Sequence, residues 1–246
     1  MPSLNFDDIL NKEKGKVGLV CGSGGSLREY HELFERLSKT QKDKYCCIAA
    51  NQWHQKTNLD VDYWVVANSV YTVAKEYNTF NSKNSTLIYA DSVDKTDRNF
   101  VESNLKIDYL AYDERHQGGN PCQRQSACCN NIIPGRKTIQ EYLKNITSYN
   151  KIYNSCGTVG IHMIAVAVIL GCNPIYVSGI DMNYNTGYVD GSTTKNMHGN
   201  ISLFSSNFGM QAKIIVESAK NLGIEIVQLS SLAKYDGIEK GKFKEI

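Results

Sequence analysis

The sequence predicts an α/β fold, with a mostly parallel sheet flanked by helices and long polar loops at the carboxyl ends of its strands. Two observations predict it. Short apolar runs of strand length alternate with stretches of helical periodicity along most of the chain, the pattern of strand-helix-strand units. Polar segments also follow several of those runs, at the sheet edge where open α/β sheets receive their ligands. At 246 residues, the chain is long enough to bury a sizeable core as one domain spanning residues 1–246, with a polar excursion at about 113–137.

The elements follow in order. "KVGLVCG" reads as the first strand and runs through the loop "GSGGS" into a helical pattern, "LREYHELFERL". "KYCCIAAN", "DYWVVANS", "STLIYAD" and "KIDYLAYD" are the next strands. Polar "NQWHQKTN" follows the first of these four. The stretch from Asp113 to Lys137, with its glycines, prolines, amides and three arginines, is too long and polar for a plain connection, and such loops usually carry function or lack order. Gly160 to Leu170 is an apolar helix stopped by Gly171, after which Asn173-Pro174 turns into the strand Ile175 to Ser178. A second irregular stretch, residues 183–200, follows that strand. "GMQAKIIVESAKNLGIEIVQL" then repeats the grammar of helix, terminal Gly223 and strand.

Composition narrows the partners. Hydrophobic residues at 41%, charged residues at 21% and a net charge of +2 are ordinary for a globular domain and give no general attraction to nucleic acid or membrane. No run reaches the roughly 20 apolar residues of a membrane span, and the amino terminus lacks a signal-peptide pattern. A cytoplasmic location follows as an expectation, with the eight cysteines reduced. No CxxC spacing occurs. His116, Cys122, Cys128 and Cys129 are the residues whose types suit a metal, but free thiols fit their spacing better.

The glycine loop fits no dinucleotide fingerprint, because Leu27 stands where the third glycine belongs and Asn51 and Gln52, not an acid, follow the second strand. No Gly-Lys-Ser/Thr closes it, so it is no Walker loop. Two readings remain open. It is a strand-to-helix turn, or its N–H groups at a helix amino terminus, with the hydroxyls of Ser23 and Ser26, receive a phosphate. In the second case Gly22, Ser23, Gly24, Gly25 and Ser26 hold a nucleotide, and Asn51 and Gln52 at the next strand's end offer amide donors and acceptors to its base or ribose. Thr158, Gly160, Ser178 and Gly179 complete this nucleotide-binding set.

The second irregular stretch supplies the chemistry. Asp181 ends its strand and either orients a histidine, binds a ligand hydroxyl or caps the next turn. Tyr184 and Tyr188 offer phenolic donors to a phosphate or serve packing. His198 lies in a polar, glycine-flanked loop and is the candidate general base. His54 competes for that role, whereas His162, inside an apolar helix, reads as structural.

"GSGGSL", "ANQW", "GTVGIHMIAVAVILG", "IYVSGIDMNY" and the downstream "HGN" occur in the order and rough spacing of a group with two branches. The chain resembles the bacterial sialyltransferases of glycosyltransferase family 42, and also the motility-accessory-factor and 6-hydroxymethylpterin diphosphokinase-like proteins. The first resemblance implies a Rossmann-like, nucleotide-binding domain that uses a CMP-sugar donor in surface glycan synthesis, with no cofactor and no metal. It further implies that His198 deprotonates the acceptor, a glycan or small molecule, while Tyr184 and Tyr188 hold the departing phosphate. Cys156 stands where that branch carries an arginine. The second resemblance implies diphosphate transfer from ATP to a pterin-like acceptor, with magnesium held by carboxylates such as Asp91, Asp113 or Asp181; the "DVD" at 60–62 precedes its strand and lies at the other sheet edge. A nucleotide-binding module without catalysis is a further alternative. The sequence leaves a homo-oligomer open.

Overall fold

The structure, a computed structural model, describes residues 3–67, 70, 73, 85–91, 95–105, 107–113, 137–154, 158–183, 185, 187–193 and 201–246. Among these residues nine strands form one sheet: β1 Ser3–Leu4, β2 Val17–Cys21, β3 Tyr45–Ala50, β4 Tyr63–Val66, β5 Thr86–Ala90, β6 Tyr109–Tyr112, β7 Ile175–Ser178, β8 Ile226–Gln228 and β9 Glu239–Lys240. Their order is β1-β6-β5-β4-β3-β2-β7-β8-β9, and every neighbouring pair is parallel. The seven strands expected from apolar runs are present. The two edge strands β1 and β9 are two residues long, too short for any alternation to announce them.

The strands are apolar on both faces because helices cover both. One face packs under α1 Phe6–Ile9, α5 Ile139–Thr147, α6 Val159–Ile169 and α7 Ile201–Lys220. The other carries α2 His31–Thr40 and α3 Trp53–Lys56. Helix α4, Lys95–Asn104, precedes β6. Helix α6 crosses the middle of the sheet against β2, β3, β4 and β7 and packs against both α5 and α7. That position explains why its sequence is apolar all round instead of amphipathic, and why it ends at Gly171, whose φ of +77° suits a residue without Cβ. His162 is fully buried in it, with Nδ1 3.1 Å from the Tyr153 hydroxyl, the structural placement its apolar context predicts.

The chain winds outward from β2 to β6, then returns to place β7 on the other side of β2 and winds outward again through β8 and β9. Strand order therefore reverses between β2 and β7, and the ligand crevice of such a sheet lies beyond the carboxyl ends at this point. At the opposite edge, Asp60 pairs with Lys42 at 2.7 Å and Asp62 accepts a hydrogen bond from Cys47 N at 2.8 Å. The "DVD" motif thus stands at the amino ends of the strands, away from the crevice. No helix among the described residues is long and apolar enough to cross a membrane.

Candidate functional site at the switch point

The loops leaving β2 and β7 are joined backbone to backbone. Gly22 N donates to Ser178 O and Gly24 N to Gly179 O, each at 2.8 Å. A Cβ on Gly22 would stand 2.9 Å from the Ile180 side chain and closer still to Gly179 O; one on Gly24 would stand 2.6 Å from Gly179 O and 2.7 Å from an Asp181 carboxylate oxygen. Glycine is required at both positions for this close approach, and Gly179 itself has a φ of +71°. Beyond the loop the chain makes a five-residue 3-10 helix, Gly25–Glu29, before α2 begins at His31. The helical pattern that reads as continuous is thus broken at Tyr30, and no long helix opens on the glycines.

Asp181 lies beneath that turn, 5% exposed. Its carboxylate accepts from Ser26 N at 3.0 Å, from the Ser26 hydroxyl, and from the Ser230 hydroxyl at 3.0 Å. The Ser26 oxygen in turn accepts from Gly179 N at 3.1 Å. None of these partners belongs to the turn that follows Asp181 in the chain: the carboxylate instead holds the distant turn at Ser26. Ser26 is fully buried, so its hydroxyl faces this carboxylate and not the crevice.

Asn51 follows β3 with a φ of +48°, a conformation that asparagine tolerates better than most residues. Its carbonyl accepts from Trp64 Nε1 at 2.8 Å. Its side-chain Oδ1 is buried and finds no donor among the described residues, a situation that most buried polar atoms avoid. The Ser178 hydroxyl, fully buried at the end of β7, is in the same position. Gln52 follows half-buried at the start of α3, making no cap bond with its side chain. On the α6 side, the Thr158 hydroxyl accepts from Gly160 N at 3.3 Å, and Gly160 leaves room for Ile180, which a Cβ there would approach to 3.1 Å. Met182, next to Asp181, also has a positive φ, +47°.

Residues 187–193 lie across the glycine loop. Tyr188 bridges Gly24 in antiparallel fashion, Val189 N donates to Ser23 O at 3.0 Å, and Arg28 donates to the carbonyls of Tyr188 and Val189. Lys56 reaches over from α3 to pair with Asp190 at 2.7 Å, to donate to the Ser192 hydroxyl at 2.8 Å and to rest 4.8 Å from the Tyr188 ring centroid. The bonds from Lys56 and Ser192 hold the Asp190 carboxyl at about 2, below the usual carboxylate range. Lys56 and Arg28 are absent from the set that the sequence singled out, although Lys56 stands in the polar cluster after β3.

Tyr188 is therefore at the rim, whereas Tyr184 and His198 lie outside the described residues, as do His116, Cys122, Cys128, Cys129 and Cys156. His54 is 2% exposed and edge-on to both Trp53 and Trp64, which shields it from an acceptor. Of the carboxylates that diphosphate transfer would call on, Asp91 pairs with Arg98. Asp91 follows β5, four places from β7 in the sheet, so about 19 Å at the usual strand spacing separates it from Asp181. These two cannot share one ion.

No protein-family model matches the chain, and no curated protein matches it. Among solved structures it is similar to the sialyltransferase CstII from Campylobacter jejuni with the substrate analogue CMP-3FNeuAc, at 19% identity over 91% of this chain and 86% of that one, TM-score 0.47. The same enzyme with cytidine-5'-monophosphate gives 18% identity over 92% and 85%, TM-score 0.47. An apo alpha-2,3-sialyltransferase from Campylobacter jejuni gives 16% over 94% and 82%, TM-score 0.48. Likeness at this level transfers no residue role.

Proposed function

We propose that the chain is a nucleotide-dependent transferase, and more specifically a glycosyltransferase that draws on a CMP-sugar. The observation that carries this reading is the Asn51 amide: its Oδ1 is buried with no donor among the described residues, on backbone held at positive φ, one strand away from the point where strand order reverses. A cytosine edge supplies the missing donor through its exocyclic amine, and the amide's own N–H answers the ring acceptors. The resemblance of "GSGGSL", "ANQW" and "IYVSGIDMNY" to family 42 points the same way.

In this reading the base lies against Asn51 and Gln52, with Ser23 and Thr158 at the sides of the crevice. The phosphate sits toward the rim, where Lys56 and the Tyr188 hydroxyl supply a charge and a donor. An acceptor hydroxyl attacks the anomeric carbon, the bond from that carbon to the phosphate oxygen breaks, and CMP departs with the electron pair. The acceptor proton goes to His198, a base whose ordinary pKa lies near neutrality. Neutralisation of the leaving phosphate by Lys56 and hydroxyls needs no divalent ion.

The test is CMP release from a panel of CMP-activated sugars with glycan acceptors. Release that is acceptor-dependent, resistant to EDTA and lost in His198→Ala is the expected result. Absence of CMP release, together with magnesium-dependent AMP formation from ATP and a pterin, would replace this reading with diphosphate transfer.

A further inference from the structure

We propose that Asp181 is the resident anion of the glycine loop: a carboxylate from the chain itself fills the place that a ligand phosphate takes at comparable strand-to-helix turns, and so locks the mouth of the switch point. This holds whichever nucleotide the crevice takes.

Three donors converge on the carboxylate, Ser26 N, the Ser26 hydroxyl and the Ser230 hydroxyl. They are brought from 155 and 49 residues away in sequence, so the cradle is a tertiary construction and not a local turn. Gly179 N occupies a lone pair of the Ser26 oxygen, which leaves that hydroxyl's proton for the carboxylate. Gly24 passes so close that a Cβ there would lie 2.7 Å from Asp181 Oδ2; glycine at this position admits the carboxylate as much as it shapes the turn. Lys234 N donates to the Asp181 carbonyl at 2.9 Å and ties in the connection between β8 and β9. Tyr235, buried on the same connection, has its hydroxyl pushed well above the ordinary range by burial and by the Asp181 charge, and so remains a neutral neighbour. A nest of donors around one fixed negative charge repels a second, which directs any ligand phosphate away from these N–H groups and toward the rim.

Asp181→Ala empties the cradle and leaves its donors around a carboxylate-sized hole. The variant is expected to melt below the wild type, and sodium formate to raise its Tm saturably, as a ligand that binds only the folded state does. Sodium chloride at equal ionic strength, and inorganic phosphate, which is too large for the hole, should not reproduce that effect. Formate should move the wild type no more than chloride does. The double variant Asp181→Ala, Ser26→Ala should lose the formate response. An unchanged Tm in Asp181→Ala, equal formate effects on wild type and variant, or a response that survives loss of Ser26 would each overturn the proposal. Should Asp181→Ala be insoluble, refolding from urea decides: recovery in formate and not in chloride supports the resident anion, and equal failure in both overturns it.

Discussion

At the scale of single residues, Asn51 and Asp181 show how differently two polar side chains at strand ends are employed. The place of Asn51 at the ligand edge is legible from sequence, because it stands immediately after an apolar run. The role of Asp181 is not, since its partners are distant in the chain and nothing local to "SGID" distinguishes a ligand-binding carboxylate from a buried one. Asn51→Gly keeps the positive φ available while removing the amide, so the fold should persist with nucleotide affinity reduced about 5- to 100-fold, the worth of one or two buried hydrogen bonds at roughly 1–3 kcal/mol. Calorimetric titration of CMP checks this, and unchanged affinity would move the base elsewhere. Asp62 gives a prediction at the other sheet edge. Burial, above all, raises its carboxyl to about 6, so the folded protein holds a proton there that the unfolded chain has released. Stability attributable to this group is therefore present below about pH 4 and is lost as pH rises through about 6. Asp62→Asn should flatten that window by about 1–3 kcal/mol, which urea melts at pH 5 and pH 7.5 would reveal as a smaller difference than in the wild type.

At the scale of elements, the strands and the apolar helix α6 were readable because burial on both faces of a parallel sheet leaves an unmistakable apolar record. The glycine loop was readable as a turn but not as a contact. Glycine in sequence signals close approach without saying what approaches, and here it is the β7 loop and its carboxylate. The break at Tyr30 was invisible for a similar reason, since 3-10 and α turns share nearly the same apolar spacing. Gly24→Ala places a methyl against the Gly179 carbonyl and the Asp181 carboxylate, two groups with no room to retreat, and should cost about 1–3 kcal/mol of stability. A Tm equal to that of the wild type would contradict the close packing. Loss of nucleotide binding in such a variant would consequently report on the loop's fold as much as on ligand contact. The strap at 187–193 behaves differently. Its Lys56–Asp190 pair is partly exposed and contributes little to stability, so Lys56→Ala should leave Tm nearly unchanged while weakening nucleotide binding, as expected of a phosphate partner. An equal loss of both would make Lys56 a structural latch only.

At the scale of the molecule, the decisive fact is strand order, which no local pattern records. A list of strands does not say that β7 returns to lie beside β2; that follows from the whole chain packing α6 across the middle of the sheet. Once the order is known, the crevice, Asn51, the glycine loop and the 187–193 strap belong to one place. Nucleotide recognition at this crevice is checked by a thermal-shift panel of CMP, CDP, UDP, GDP and ATP, with and without magnesium. CMP should raise the Tm equally in magnesium and in EDTA, and the rise at a fixed CMP concentration should be smaller in Asn51→Gly. A panel in which no nucleotide raises the Tm, or in which only ATP with magnesium does, would rule out a CMP site in this crevice.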